Sequence, residues 1–207
     1  MTRILYLHGF ASGPSSSKAR YFRDRLAGPE VRVEIPDLAE DDFEHLTITR
    51  QLAVVERCSQ GQPVCLVGSS LGGYLAALYA ARHPEVVRVV LLAPAFGFAR
   101  RWADYLGAAQ VEVWRRTGLL EVFHYGENRT RKLSWQLLED AAQYEEFPDF
   151  RQPALIFHGA QDDVVPPAAS REFAAVHPNA QLEILDSGHD LLNVLDYMGS
   201  KMCDFLW

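Results

Sequence analysis

The sequence predicts a doubly wound α/β fold built on a mainly parallel six-stranded sheet. Short apolar, β-branched runs alternate with longer amphipathic stretches, as expected when helices cover both faces of a parallel sheet. The length of 207 residues corresponds to about one domain. The composition, 48% apolar and 23% charged, is close to the globular average, so it excludes a disordered or fibrous chain.

The strand candidates are nearly continuous apolar runs, which are typical of parallel strands buried on both faces. They are Ile4–His8, Val31–Ile35, Val64–Val67, Val87–Leu92, Ala154–Phe157 and Leu182–Leu185. Amphipathic stretches between and after these runs predict helices at about Ser17–Ala27, Thr47–Ser59, Leu71–Arg82, Pro167–Val176 and Asp190–Phe205. In the last stretch apolar residues recur every three or four positions, which places them on one helix face.

One segment interrupts this alternation. Residues 96–150 separate the fourth and fifth strands by a connection far longer than a usual crossover, and they are rich in aromatic and charged side chains. Within them, Leu133–Tyr144 has a helical pattern. We interpret residues 96–150 as a small helical cap inserted over one edge of the sheet, within a single domain of residues 1–207. The alternative is an enlarged packing layer without contact to a substrate.

Composition also limits the partners and the compartment. The chain has a net charge of −7, whereas proteins that bind phosphate backbones carry an excess of basic residues. We therefore expect no nucleic-acid partner. The three cysteines are too scattered for a zinc site or a disulfide framework. No apolar run approaches the ~18 residues of a membrane span, and the run at Met1–Gly9 is too short for a signal peptide. The sequence therefore indicates a cytoplasmic protein.

The strongest chemical signal is the segment Gly68–Gly73, which lies between a predicted strand and a predicted helix. It reads Gly-Ser-Ser-Leu-Gly-Gly and matches Gly-x-Ser-x-Gly with Ser70 at the centre. A serine on such a sharp turn has a strained backbone, and the flanking glycines allow neighbouring backbone to approach closely. The helix that follows directs its N-terminal N–H groups at developing negative charge. Ser70 is therefore a candidate nucleophile; the alternative is a glycine-rich helix cap with a non-catalytic serine.

A serine hydroxyl is a weak nucleophile unless a base takes its proton and a third group orients that base. Two later segments offer these groups, each just after a predicted strand: Asp162 follows the fifth strand and His189 follows the sixth. Parallel strands end at one edge of the sheet. We therefore predict that Ser70, Asp162 and His189 meet there.

The choice of aspartate rests on the segment from His158 to Pro166, which reads His-Gly-Ala-Gln-Asp-Asp-Val-Val-Pro. It resembles the acid loop of many α/β-hydrolases, whose first aspartate orients the catalytic histidine, and this resemblance favours Asp162. Asp163 and Asp186 remain alternatives, with Asp163 otherwise a loop or helix-capping residue.

An oxyanion hole needs two N–H donors near the nucleophile. We expect these from the backbone of Leu71 and of Phe10, where Gly9 lets the loop after the first strand turn toward Ser70. We interpret His8 and His158, which each precede a glycine at the end of a strand, as residues that brace their loops. His-Glu-x-x-His, a P-loop lysine and Gly-x-Gly-x-x-Gly are all missing, so we expect no metal and no cofactor.

These residues resemble the α/β-hydrolase superfamily over nearly the whole chain outside the cap. The stretch Leu5–Ala19, where a His-Gly-Phe loop runs into a Ser-Lys-Ala helix start, is similar to the small YqiA-like esterases and related small thioesterases. The resemblance implies a minimal hydrolase that lacks the first two strands of the superfamily, with six parallel strands in the order 2-1-3-4-5-6.

The reaction expected is hydrolysis of a small carboxylic ester or thioester through an acyl-enzyme on Ser70. Peptidase, lyase or acyltransferase chemistry on the same residues is an alternative, and so is a non-catalytic binding module of the same fold. The aromatic cap indicates an apolar acyl or aryl group, with Trp102 and Trp114 as candidate contacts. Two arginine pairs would either meet an anionic portion of the substrate or form solvated helix faces: Arg100-Arg101 and Arg115-Arg116.

Overall fold

A computed structural model describes all 207 residues and has a six-stranded sheet at its centre in which every neighbouring pair is parallel. The strands are β1 (Thr2–Leu7), β2 (Val31–Glu34), β3 (Val64–Ser69), β4 (Val86–Leu92), β7 (Ala154–Gly159) and β8 (Ala180–Leu185). Their order along the sheet is β2-β1-β3-β4-β7-β8, which confirms the predicted fold class and strand order.

Five helices cover the two faces of this sheet, and none of the helices in the chain has the length and apolar character that crossing a membrane requires. They are α1 (Ser17–Leu26), α2 (Ile48–Ser59), α3 (Leu71–Arg82), α7 (Ala168–Val176) and α8 (Leu195–Leu206). The apolar residues of α1 and α8 pack in one buried cluster, and those of α2, α3 and α7 pack in another on the opposite face. The two clusters explain why the strands are apolar on both sides.

Side chains fix the start of the first two helices. The hydroxyl of Ser16 accepts a hydrogen bond from the Ala19 N–H at 3.4 Å, and that of Thr47 accepts one from the Arg50 N–H at 3.0 Å. Such N-caps satisfy backbone donors that the first turn of a helix leaves free. The helix starts are thus set by local sequence, as the amphipathic patterns predicted.

The last predicted helix starts later than its apolar periodicity indicated. Leu191 is buried in a left-handed conformation with φ of 55°, and a short 3₁₀ helix, Leu192–Val194, precedes α8. The carboxylate of Asp190 accepts a hydrogen bond from the Leu192 N–H at 3.2 Å. The left-handed residue breaks the helix because an α-helix needs negative φ throughout.

The inserted segment contains helices α4 (Phe98–Leu106), α5 (Ala108–Thr117) and α6 (Gln136–Ala141), as expected of a helical insertion. It also contains an antiparallel hairpin that the sequence analysis did not predict, β5 (Leu119–His124) and β6 (Arg129–Ser134). The predicted helix Leu133–Tyr144 is accordingly divided between the end of β6 and α6. A turn-forming Gly-Glu-Asn between alternating runs was the available signal, and Asn128 has a φ of 52° there.

Candidate active site

Ser70 occupies the sharp turn between β3 and α3. Its φ of 52° and ψ of −116° form a conformation that residues with side chains seldom adopt. Backbone hydrogen bonds on both sides hold it: the Ser70 N–H donates to the Leu92 carbonyl at 2.8 Å, and the Ser70 carbonyl accepts from the Ala95 N–H at 3.0 Å. The strained turn is therefore fixed by the end of β4 and by the segment that follows it.

Close backbone contacts explain the glycines around Ser70. A Cβ at position 68 would collide with the carbonyl group of Gly72, and one at position 72 would collide with the carbonyl oxygens of Leu7 and His8. These contacts press the start of α3 against both β3 and the end of β1. The Gly-x-Ser-x-Gly pattern is thus required by packing at both of its glycines.

Three side chains from three loops meet at the carboxyl edge of the sheet. His189, in the loop after β8, has its Nε2 3.1 Å from the Ser70 Oγ. Its Nδ1 lies 2.7 Å from the Oδ2 of Asp162, in the loop after β7. Asp162 is completely buried, whereas the His189 side chain remains 22% exposed. The arrangement joins a hydroxyl, an imidazole and a buried carboxylate in series.

The other two candidate aspartates lie apart from this series. Asp163 is exposed and makes no side-chain hydrogen bond. Asp186 is exposed as well, and its Oδ1 accepts from the Gln161 side-chain amide at 2.8 Å. Asp162 is thus the one of the three that contacts His189.

The carboxylate of Asp162 is held ionised. Burial raises the pKa of Asp162, but hydrogen bonds from His158, from His189 and from the Val165 N–H outweigh it and hold the pKa well below the usual range of an aspartate. The Oδ1 atom accepts from the N–H groups of Val164 and Val165 at 3.0 and 2.8 Å. A buried carboxylate with this many donors keeps its negative charge at neutral pH.

The loop after β1 passes beside the serine. A Cβ built on Gly9 would lie 3.5 Å from the Ser70 Cβ, which is ordinary van der Waals distance. The N–H groups of Phe10 and of Leu71 donate to no turn, loop, cap or side-chain acceptor of the protein. Both expected oxyanion donors therefore have no acceptor of this kind within the protein.

His8 braces this loop. Its Nδ1–H donates to the Gly9 carbonyl at 3.0 Å, and its Nε2 accepts from the Leu38 N–H at 3.3 Å. Burial lowers the pKa of His8, which favours the neutral ring that this pair of bonds requires. The bonds fit the bracing role predicted for His8.

Four aromatic rings pack together around Phe10, which follows Gly9 in the loop beside Ser70, and we call Phe10, Phe43, Phe98 and Trp102 the aromatic wall. The Phe10 ring lies 4.9 Å from that of Trp102 and 5.6 Å from that of Phe43, and Phe98 lies 5.3 Å from Trp102, measured between ring centroids. Phe10 and Trp102 are half-buried, so this wall retains exposed ring surface.

The second tryptophan predicted to contact substrate lies elsewhere. Trp114 is completely buried behind Trp102, with ring centroids 5.2 Å apart, and its indole N–H donates to the Leu133 carbonyl at 3.1 Å. In this conformation the ring does not reach a ligand. Its contacts are those of a packing residue that supports Trp102.

The side chains of three arginines in the two pairs bind groups of the protein itself. Arg100 forms a two-pronged ion pair with Glu146 at 2.8 and 2.9 Å, and Arg101 donates to the Phe96 carbonyl at 3.0 Å. Arg115 pairs with Glu112 on its own helix at 2.9 Å. These contacts favour the interpretation of the pairs as solvated or structural groups over that of an anion site.

Two groups near the carboxylate were not assigned a chemical role from the sequence. The buried His158 has its Nε2 3.1 Å from the Asp162 Oδ2. Burial lowers the pKa of Lys18, in the first turn of α1, to about 8, although the charges of Asp190 and Asp162 oppose this shift. The segment Ser16–Ala19 signalled a helix start and gave no hint of this environment.

One cluster outside the site has the donor types of a metal ligand set. Glu56, His83 and Glu85 bring one ligand atom each within 4.8 Å of one another. Their donor atoms are already engaged, because His83 lies 3.0 Å from Glu85 and the hydroxyl of Tyr79 donates to Glu56 at 2.6 Å. The cluster lies at the far end of α3, about 18 Å along the helix from Ser70, so it takes no part in the site.

Comparison with known proteins identifies the family. The model of the uncharacterised protein family UPF0227 matches residues 3–206, and the chain belongs to that family. The solved structures that follow, one of them named an alpha/beta hydrolase domain-containing protein, show that the chain has the α/β-hydrolase fold, as the resemblance predicted.

Three solved structures illustrate the shared fold. Est1E from Butyrivibrio proteoclasticus is 20% identical with a TM-score of 0.73, covering 99% of this chain and 86% of that one. Alpha/beta hydrolase domain-containing protein 10 from mouse is 19% identical with a TM-score of 0.74, covering 99% and 89%. A monoacylglycerol lipase from Paleococcus ferrophilus is 16% identical with a TM-score of 0.77, covering 99% and 93%.

Proposed function

We propose that the protein is a serine hydrolase that cleaves a small carboxylic ester or thioester through an acyl-enzyme on Ser70. The observation that carries the proposal is the series of contacts from the Ser70 Oγ to the His189 Nε2 at 3.1 Å and from the His189 Nδ1 to the Asp162 Oδ2 at 2.7 Å. This is the geometry in which a base takes the proton of a serine while a carboxylate fixes the tautomer of that base.

In the first half-reaction, the Ser70 Oγ attacks the carbonyl carbon and its proton passes to the His189 Nε2. The carbonyl oxygen becomes an oxyanion, which the N–H groups of Phe10 and Leu71 would stabilise. When the tetrahedral intermediate collapses, the bond to the alcohol or thiol breaks, and the leaving group takes the proton from His189. Asp162 stabilises the imidazolium in between and stays ionised.

In the second half-reaction, water takes the place of the alcohol. His189 accepts a proton from the water as its oxygen attacks the acyl carbon, and the same two N–H groups stabilise the second oxyanion. The proton then returns to the Ser70 Oγ as the acid leaves.

The aromatic wall supports an apolar acyl or aryl group in the substrate. We propose that residues 96–150 act as a cap over the site, because Trp102 and Phe98 of this segment contact Phe10 of the loop beside Ser70. One of the compared proteins is named a monoacylglycerol lipase, and one structure of Est1E contains bound ferulic acid, an aromatic acid. A preference for aryl or medium-chain acyl esters and thioesters would fit this wall.

Labelling with a fluorophosphonate probe tests the proposal without a choice of substrate. We expect one adduct per chain, mapped by mass spectrometry to Ser70, and no adduct in Ser70→Ala. In His189→Ala the labelling rate should fall by about 10³-fold or more, because the serine loses its base. Ser69→Ala is the matched control and should label at the wild-type rate. A folded wild-type protein that does not react would contradict the proposal.

Product analysis then separates the alternative reactions. A panel of aryl and alkyl esters, thioesters and amides is hydrolysed in the presence of a competing alcohol or amine. Free acid as the main product fits hydrolysis, whereas transfer of the acyl group to the competitor would favour an acyltransferase. Cleavage of amides at rates similar to esters would favour a peptidase.

A further inference from the structure

The buried carboxylate of Asp162 has a second imidazole partner besides His189. His158, the fifth residue of β7, is completely buried. Its Nε2 lies 2.8 Å from the Val165 carbonyl oxygen and 3.1 Å from the Asp162 Oδ2. Its Nδ1 lies 2.7 Å from the hydroxyl of Ser170, a buried residue of α7.

These partners determine where the proton on His158 resides. Nε2 faces two oxygens that can only accept, the Val165 carbonyl and the Asp162 carboxylate, so Nε2 carries the hydrogen. Nδ1 of the neutral ring is then an acceptor, and the Ser170 hydroxyl can donate to it. Both ring nitrogens are satisfied, as a fully buried imidazole requires.

The Asp162 carboxylate therefore has no exposure and accepts from three donors, and the Nε2–H of His158, which donates to the Val165 carbonyl, lies against it as a fourth, shared contact. Oδ1 accepts from the N–H groups of Val164 and Val165, and Oδ2 faces both His189 and His158. A carboxylate has about four lone-pair positions, of which three take hydrogen bonds here and the fourth faces the shared Nε2–H of His158. Removing one donor would leave part of a buried charge uncompensated, which is costly where no water can replace it.

We propose that His158 is a positioning residue: its Nε2–H fixes the plane of the Asp162 carboxylate so that Oδ2 meets the Nδ1–H of His189, and it withdraws part of the negative charge that His189 experiences. This inference rests on the proposed function, because it assigns His158 a part in activating Ser70 through two intermediates. His158 itself does not touch the reacting atoms.

Two polar substitutions separate this role from a packing role. In His158→Gln the side-chain amide nitrogen occupies about the place of Nε2 and keeps a donor toward Asp162. In His158→Asn the amide stands about where Nδ1 stood, so it keeps the contact with Ser170 but loses the donor to Asp162. His177→Asn is the matched control: His177 is a buried histidine near Asp149 that is remote from the site, with its Nδ1 2.8 Å from the Phe173 carbonyl oxygen.

The test measures labelling of Ser70 by the fluorophosphonate and ester hydrolysis across pH. We expect His158→Asn to lower the labelling rate and kcat by about 10- to 100-fold with little change in KM, because a buried acceptor is left unsatisfied. The midpoint of the acidic limb of kcat/KM should move to higher pH, since a carboxylate with fewer donors binds the imidazolium more strongly. His158→Gln should restore the rate to within a few-fold, and His177→Asn should label like the wild type.

A second readout does not depend on reactivity. The proton between the His189 Nδ1 and Asp162 is expected as a strongly downfield resonance in the proton NMR spectrum, shifted in His158→Asn and restored in His158→Gln. Wild-type labelling, an unmoved acidic limb and an unmoved resonance in His158→Asn would overturn the proposal. A wild-type chain that never labels would contradict the proposed function instead, and the resonance would still decide the role of His158. If His158→Asn does not fold, His158→Gln decides, because a low labelling rate with a displaced resonance in that folded variant would also overturn it.

Discussion

The carboxyl edge of the sheet and the inserted segment are built from different interactions. At the sheet edge, Ser70, His189 and Asp162 are joined by hydrogen bonds of 2.7 to 3.1 Å, and a buried charge lies at the end of the series. In the insertion, Trp102, Trp114 and Trp135 are joined by ring contacts at 5.2 Å between centroids. Directional bonds fix atoms, whereas stacked and edge-on rings fix a shape.

This difference suits the two regions to different roles in the proposed function. Hydrogen bonds can hold a proton donor and its acceptor within a few tenths of an ångström, which proton transfer requires. Aromatic contacts tolerate small shifts and present an apolar surface, which suits the binding of an acyl or aryl group. We therefore expect substitutions at the sheet edge to affect the chemical step, and substitutions in the insertion to affect stability and selectivity.

The largest effect is expected at the sheet edge, in Asp162→Asn. The amide cannot stabilise the imidazolium and favours the wrong tautomer of His189, so kcat should fall by about 10⁴-fold. The depressed pKa of Asp162 adds stability that is present above the ordinary pKa of about 3.9 and is lost as pH falls below it. Urea unfolding at pH 7 and pH 3 should therefore show a smaller change in Asp162→Asn than in the wild type. A variant that retains more than about a tenth of the wild-type kcat would contradict this prediction.

In the insertion, Trp114→Ala should lower the stability of the protein strongly and the reactivity of Ser70 only weakly. This substitution removes a fully buried ring and leaves the Leu133 carbonyl without its indole donor. We expect a loss of about 3–5 kcal/mol in the free energy of unfolding, measured by urea titration. Labelling of Ser70 under native conditions should slow by less than about 10-fold. Loss of labelling in a folded variant would show that the insertion governs the chemical step after all.

We expect an intermediate effect, on the free energy of unfolding, from Lys18→Met, which removes a positive charge near the sheet edge. Burial lowers the pKa of Lys18 to about 8 from its ordinary 10.5, so the folded chain carries the cost of a buried cation below pH 8 and sheds it between pH 8 and 10.5. The variant should be more stable than the wild type at pH 7 by about 1–3 kcal/mol, and the difference should shrink by pH 10. Urea midpoints at the two pH values measure it. A less stable variant at pH 7 would mean that the attraction to Asp162 and Asp190 outweighs burial.

The smallest effect is expected in Trp102→Ala, on the aromatic wall. Its half-buried ring contacts Phe10, so its loss should raise KM for aryl and medium-chain esters by about 10-fold and leave short acetyl esters nearly unchanged. Tyr105→Ala is the control, because this exposed aromatic residue on the same helix takes no part in the aromatic wall. An equal rise in KM for esters of every acyl length would show that the aromatic wall does not determine acyl selectivity.

The sequence predicted the secondary structure of the central sheet more completely than that of the insertion. The alternation of apolar runs predicted all six strands of the sheet and their flanking helices, because burial on both faces leaves a strong periodic signal. The sequence analysis missed the hairpin of β5 and β6, because these short strands bury only alternate residues and lack the continuous apolar run that marks the strands of the central sheet. Leu133, which we predicted to start a helix, therefore lies in β6.

At the site, the residue types and their chain order identified Ser70, Asp162 and His189 as candidates before any geometry. They could not show that the Oδ2 of Asp162 faces His158 as well as His189, because β7 and the loop after it close on each other only in the folded chain. Nor could they separate Trp102 from Trp114, two similar aromatic residues of which one lies at the surface of the insertion and one inside it.

The sequence by itself determined the local features: the strand and helix periodicities, the helix caps and the glycines that a tight turn requires. These depend on neighbours a few residues apart. Only the tertiary structure decided which aromatic side chains from distant segments share a ring contact, and that the Asp162 carboxylate faces a second imidazole besides that of His189. Those outcomes depend on how strands far apart in the chain come to lie side by side, and the pattern of any single segment does not encode that arrangement.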